Sequence, residues 1–241
     1  MNARVLTLLM VATLSVLFTS CYKTDYFPCV KARGGSVEEI RITGAFDAID
    51  LRLHARVFVS LGEEAQVRVM APLNILDLIQ TSTSGKTLTI DNARCISNRA
   101  DEIKIYITTP SLSSLRIAGS GHIVVEDFLE AEVMNADIAG SGKIVMEGNF
   151  QRFNSSISGS GDVIVKGFAR QVFAQISGSG TINALDMHSS IADVRISGSG
   201  CTKVAVEDQL TVRIAGSGNV YYLGDPAIQV NITGSGKLIR L

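Results

Sequence analysis

The residues of this chain best suited to chemistry are a few acids, three histidines, a recurring serine and four cysteines. Acid hydrolysis of sugars needs two carboxyls roughly 5–10 Å apart, one of them able to hold a proton. Glu126 and Glu147 fall at equivalent places in successive repeats, with Asp127 and Glu130 nearby, and are the one arrangement here that could stack into such a pair. No other repeat has an acid in that column, so the plainer reading is a solvated turn with ordinary surface acids. His54, His122 and His188 are scattered, and His122 heads a varied polar row that reads as exposed. Serines 120, 141, 160, 179, 199, 217 and 235 each sit between two glycines. A hydrolase nucleophile elbow places one such serine on a single strand-to-helix turn beside a histidine. Sevenfold recurrence with no helix following fits a hydrogen-bonded serine ladder instead. The same glycines fail as a phosphate loop, because none opens a helix or ends in Gly-Lys-Ser/Thr. No Cys-x-x-Cys or histidine pair supports a metal site, so the sequence assigns no catalytic residue, no metal and no cofactor.

The frame that would carry these residues is rich in β-formers and turns. Across 241 residues there is no Trp, only 6% of positions are aromatic, and Gly reaches 22. Ile, Val, Ser, Thr and Gly dominate, which favours an all-β class with many tight turns. The formal net charge of -1, with no basic stripe, excludes a nucleic-acid binder of the ordinary electrostatic kind.

Seven copies of Ile-x-Gly-Ser-Gly begin at Ile117, Ile138, Ile157, Ile176, Ile196, Ile214 and Ile232, spaced by 21, 19, 19, 20, 18 and 18 residues. An imperfect earlier copy is Thr83-Ser84-Gly85-Lys86, followed by Thr87-Leu88-Thr89-Ile90. Four residues before the first glycine the column reads Ala136, Ser155, Ala174, Val194, Val212 and Val230. Six before, it reads Met134, Phe153, Val172, Ala192, Leu210 and Ile228, and the columns between are mostly polar. Period-two alternation of this kind marks a strand with one buried face. A second apolar-alternating strand follows each Gly-Ser-Gly, from Ile123, Ile144, Val163 and Ile182 onward. One repeat cannot cover its own apolar face, whereas copies stacked at about 4.8 Å form continuous ladders. The prediction is a β-solenoid, a right-handed β-helix-like stack of 18–21-residue repeats. A β-prism or sandwich of hairpins is the alternative, and the near-constant repeat length without long connections favours the solenoid.

In the second strand, Val124, Val145 and Ile164 stand at positions that alternation turns outward, and Tyr221 with Tyr222 adds aromatic surface further on. An exposed apolar stripe marks a binding or oligomer surface. The alternative is that the upstream segment covers this strand. That segment reads as a less regular β region. Phe46–Leu51, Ala55–Val59, Gln66–Met70 and Ile103–Thr108 read as strands, and Asn74–Leu78 as a short helix or turn.

The first twenty residues stand outside the fold. Arg4 and the apolar run Val5–Phe18 have the proportions of a signal peptide and are too short for a comfortable membrane span. Leu17-Phe18-Thr19-Ser20-Cys21 resembles a bacterial lipobox, with Phe18 departing from the commonest pattern. The resemblance implies cleavage before Cys21 and acylation of that cysteine; ordinary secretory cleavage with an incidental cysteine is the alternative. Export makes disulfides durable. Cys29 and Cys95 both fall outside the regular repeats, and a bridge between them would pin the tether to the first β layers. Cys201 lies inside a repeat and reads as a free thiol. The expected organisation is a signal peptide over 1–20, a lipid-anchored tether over 21–36, and one β-solenoid domain over 37–241, irregular to 115 and regular from 116.

Phe46-Asp47-Ala48-Ile49-Asp50, then Ser84-Gly85-Lys86-Thr87-Leu88-Thr89-Ile90, then the Gly-Ser-Gly series with Gly178-Ser179-Gly180-Thr181-Ile182-Asn183, together resemble the auto-transporter adhesin "head GIN domain" family of Gram-negative bacteria. The resemblance spans about residues 36 to 240. It implies a β-helix-like fold, a lipoprotein signal, an early cysteine with another near Cys95, and an adhesive role. It carries over no catalytic or ligand-binding residue. The reading is a non-enzymatic envelope lipoprotein, held on the outer membrane by its lipid, whose repeat surface binds protein, glycan or a second copy of itself. A polysaccharide-binding or polysaccharide-cleaving β-helix and a structural spacer are the alternatives.

Overall fold

The computed structural model describes residues 28–99 and 101–241; the leader and Cys21 lie outside the described residues. Among the described residues, the stretch before the regular repeats forms nine strands and one helical turn: β1 (Val30–Lys31), β2 (Ser36–Arg41), β3 (Ala48–Leu51), β4 (Arg56–Leu61), β5 (Gln66–Pro72), α1 (Leu73–Leu76), β6 (Ile79–Ser84), β7 (Thr87–Asn92), β8 (Ile96–Ser97) and β9 (Lys104–Thr109). The repeats then supply β10 (Ser114–Gly119), β11 (His122–Gly140), β12 (Lys143–Gly159), β13 (Asp162–Gly178), β14 (Thr181–Gly198) and β15 (Cys201–Gly216). The last coils are β16 (Asn219–Leu223), β17 (Ala227–Gly234) and β18 (Lys237–Arg240). The molecule is an all-β, right-handed β-solenoid.

Each of β11 to β15 is one hydrogen-bonded run of 16 to 19 residues that bends at corners inside the coil. Successive coils pair in parallel and in register, so Ile138, Ile157, Ile176, Ile196, Ile214 and Ile232 form one ladder. The first five are at most 3% exposed. Full burial of one such side chain contributes about 1.5–3 kcal/mol, which is why the isoleucine recurs. Differences in repeat length are absorbed as bulges, at Val124/Phe128, Ile164/Gly167 and Ala184/His188, leaving the Ile-x-Gly corner in register throughout.

The two glycines of the motif have different causes. The first adopts a positive φ, +128° at Gly159, and a Cβ there would run into the carbonyl oxygen of Gly140 in the coil below. The second faces inward. A Cβ on Gly161 would stand 2.6 Å from Ile138 Cγ2 and 2.7 Å from the Gly142 carbonyl oxygen. The isoleucine of one coil therefore roofs the second glycine of the next. The serine between them is exposed, and its contribution is its backbone: the Ser160 N–H donates to Gly140 O at 2.9 Å and the Ser179 N–H to Gly159 O at 2.8 Å. The expected ladder of serine hydroxyls is instead a ladder of peptide groups.

At the N-terminal end, chain order and spatial order part company. β3 lies between β10 and β7, and β4 between β11 and β9, all in parallel pairs. The later segment β7–β9 thus stacks above the earlier β3–β4 coil. Antiparallel strands finish this end: β6 on β7, and β2 on β5 on β9. Thr83–Ser84, read from the sequence as the start of an early repeat, is one side of the β6–β7 hairpin, turning at Gly85. Ile75 and Leu76 of α1 are buried beneath this cover. Val30–Lys31 pairs with Ile96–Ser97, and a Cys29–Cys95 disulfide with Cα atoms 4.6 Å apart closes the same place. The chain is therefore fastened from Cys29 onward, within the stretch expected as tether.

Candidate functional site

Parallel stacking turns each sequence column into a row on the surface. One row runs Tyr106, Phe58, Val124, Val145, Ile164, Asn183, Lys203, Tyr221 and Ile239. Val124, Val145 and Ile164 are consecutive in it, and all three are partly exposed. Phe58 and Tyr106 extend the apolar run by two layers, to about 20 Å at the strand spacing of a sheet. Tyr221 shares the row but is separated from the run by Asn183 and Lys203. Tyr222, one residue on, lies in the inward column and packs on the core.

The stripe has an aromatic end. The Phe58 and Tyr106 rings are stacked with centroids 5.3 Å apart and planes 17° from parallel, and the Arg68 guanidinium lies 4.7 Å above the Tyr106 ring. Beside the stripe runs a basic row, Lys104, Arg56, His122 and Lys143. The two rows enclose a depression of about 220 Å³ over Phe58, Val124 and Val145, edged by Arg56, His122 and Lys143. Partial burial, then the positive charges of Arg56, His54 and Lys143, push the His122 pKa below its ordinary value. The shift disfavours the charged imidazole, so the edge draws its charge mainly from lysine and arginine. None of Phe58, Tyr106 and Arg68 was singled out from the sequence as surface. Their signal was the Phe58–Val124 register, which requires β4 to stack directly on β11.

The acids do not gather. Bulging of β11 breaks the Glu126–Glu147 alignment, and Glu147 pairs in register with Phe128 on one side and Lys166 on the other. The Asp127 carboxylate accepts the Leu61 N–H at 2.7 Å, which ties off the end of β4. Glu126 and Glu130 are exposed. Among the described residues no group of three or more His, Cys, Asp or Glu could hold a metal ion. Cys201 is an unpaired, partly exposed thiol whose pKa is raised by burial, so it is a weak nucleophile at neutral pH.

On a second face, Asp193 binds both Arg195, at 3.0 Å, and Arg213, at 3.3 Å, beside a shallow depression of about 460 Å³. It is the larger hollow, but its arginines are engaged with Asp193, and exposed pairs of this kind contribute little to stability. On the same face, burial raises the Asp137 pKa, with Arg116 and the Ser156 N–H opposing. A carboxyl with a raised folded-state pKa contributes stability below the unfolded value, lost as pH rises through the folded one. Asp137→Asn should therefore give a small rise in Tm at pH 7 that disappears below about pH 4, checked by thermal melts at both pH values. Phe128, Phe168 and Phe173 are also exposed, by 46%, 42% and 40%. Phe173 stands in a row that is otherwise polar, with Asn135, Asn154, Asp193 and Thr211, and was not singled out from the sequence.

A family model described as "Putative auto-transporter adhesin, head GIN domain" matches residues 45–226. Among solved structures, a putative adhesin from Bacteroides fragilis is similar with a TM-score of 0.83 and 21% identity, over 88% of this chain and 100% of that one. A putative lipid binding protein from Parabacteroides distasonis is similar with a TM-score of 0.72 and 23% identity, over 89% and 100%. A putative adhesin from the same species gives 0.74 and 17%, over 89% and 100%. These likenesses show the fold. No curated protein matches this chain.

Proposed function

The chain belongs to the family of auto-transporter adhesin head GIN domains, a family of the cell envelope, and from that premise we propose that it is a lipid-anchored adhesin whose apolar stripe contacts a protein or glycan. The observation that carries this reading is the run Tyr106, Phe58, Val124, Val145 and Ile164, left partly open on a face whose inward side is fully packed. A rigid ladder presents such a surface without ordering anything on binding, which keeps the entropic cost of association low. The stacked Phe58 and Tyr106 rings offer a flat apolar plane to a sugar or an aromatic side chain, and Arg56 and Lys143 favour a partner with negative charge.

Anchoring rests on the leader. The apolar run Val5–Phe18 followed by Thr19-Ser20-Cys21 supports cleavage and acylation at Cys21, and hence attachment to the outer membrane. The disulfide at Cys29 then leaves a leash of only seven residues, 22–28, between lipid and body. The role is presentation of a surface and not bond cleavage, in keeping with the family and with acids that lie apart along the solenoid. Val145→Asp places a carboxylate in the middle of the stripe while the buried columns keep their packing. The expected result is at least a tenfold loss of binding to cells or immobilised ligand with an unchanged melting curve. Unchanged binding would remove the stripe from the proposal.

A further inference from the structure

The two ends of the solenoid are finished differently. At the N-terminal end the hairpin β6–β7 and α1 cover the core, and Ile75, Leu76 and Ile79 are at most 7% exposed. At the other end Ile228, Val230 and Ile232 of β17 are 43%, 49% and 36% exposed. They stack in register on Leu210, Val212 and Ile214, which are buried. The interior columns of the solenoid are therefore laid open along the outer edge of one strand. An open edge with free N–H and C=O groups is a template for another strand. The neighbouring edge strand is guarded: β18 carries Lys237 and Arg240, and Arg240 occupies an inward column, ion-paired to Asp225 at 3.3 Å. β17 contains no charged residue at all.

We propose that β17 pairs with β17 of a second copy of this chain, antiparallel about a two-fold axis through Val230. The strand is symmetric about that residue: Ile228-Gln229-Val230-Asn231-Ile232. A two-fold pairing centred there sets Ile228 against Ile232 of the second copy and Val230 against Val230. Gln229 then faces Asn231, two amides that each donate and accept. Apolar meets apolar, amide meets amide, and no like charges are brought together, as an isologous contact requires. The two interiors merge into one core, removing the exposed isoleucines from water. A head-to-tail filament lacks this match. The free edge of β6 is Ile79-Gln80-Thr81-Ser82-Thr83-Ser84, with a single large apolar residue, and that of β2 exposes Val37 and Ile40 but interrupts them with Glu38, Glu39 and Arg41. The dimer contact lies on the solenoid end and the ligand stripe on its side, so either proposal can fail while the other stands.

The test is the mass of the full chain in detergent by light scattering, combined with oxidative crosslinking in a Cys201→Ser background. Directly opposed residues of an antiparallel pair have Cα atoms about 4.5–5.5 Å apart, within disulfide range. The expected results are a dimer, a crosslinked dimer from Val230→Cys alone, and crosslinking of Ile228→Cys only when mixed with Ile232→Cys. Ile228→Cys alone should not crosslink, since its own copy lies about 13 Å away along the pair. Val230→Lys should be monomeric. A monomeric parent chain would overturn the proposal. So would a dimer in which Val230→Cys stays reduced, or crosslinking of Val230→Cys to Ser82→Cys, which would mark a head-to-tail stack.

Discussion

Gly159→Ala is expected to destabilise the protein by about 3–5 kcal/mol, whereas Ser160→Ala, one residue away, should stay within about 0.5 kcal/mol. The glycine holds φ at +128°, where a side chain is strained, and the added carbon would meet the Gly140 carbonyl oxygen. That oxygen accepts the Ser160 N–H at 2.9 Å, so it cannot withdraw without breaking the ladder between coils. The serine side chain is exposed and makes no such demand. Because stacked repeats lose cooperativity piecemeal, the comparison belongs to melting curves read together with limited proteolysis. Equal and large losses from both substitutions would show that the serine hydroxyls, and not the peptide groups, knit the coils.

Removing the Cys29–Cys95 disulfide, by Cys29→Ser with Cys95→Ser, should cost about 4 kcal/mol in the chain-entropy model for a loop of 66 residues. The loss should concentrate at the N-terminal end. There the bridge fixes the two-residue pairing of β1 with β8, which is too short to hold by itself. The double variant should melt earlier and be cut by protease near the first strands, and the parent should behave likewise in reductant. Cys201→Ser, a partly exposed position with no bond to lose, should change Tm by little. A parent protein indifferent to reductant would contradict the assigned role of the bridge.

The repeats were legible because parallel stacking makes every coil solve one packing problem. Ile138 must roof Gly161, Ile157 must roof Gly180, and so the same residues return at the same offsets. The outward placement of Val124, Val145 and Ile164 followed from the same alternation. The N-terminal end was less legible, since its order depends on distant pairings. Nothing local in Arg56–Leu61 says that it lies between Lys104–Thr109 and the start of β11, so the aromatic end of the stripe stayed hidden. Aligned columns also misled where a coil is longer. The two additional residues around Glu126 swell into a bulge, and a carboxylate pair plausible on paper is separated in register. The serines misled for a different reason: a recurring side chain suggested a side-chain ladder, while the spacing was set by the glycines on either side.

The measurement that bears most directly on the presentation role is a glycan-array and cell-surface binding screen of the purified chain, run beside Val145→Asp. The account predicts saturable binding by the parent to a protein or glycan, lost in the variant, with every glycan recovered intact. Binding to nothing, together with tolerance of a deleted repeat, would reduce the molecule to a spacer, and release of sugar fragments would make it an enzyme; either result contradicts the account.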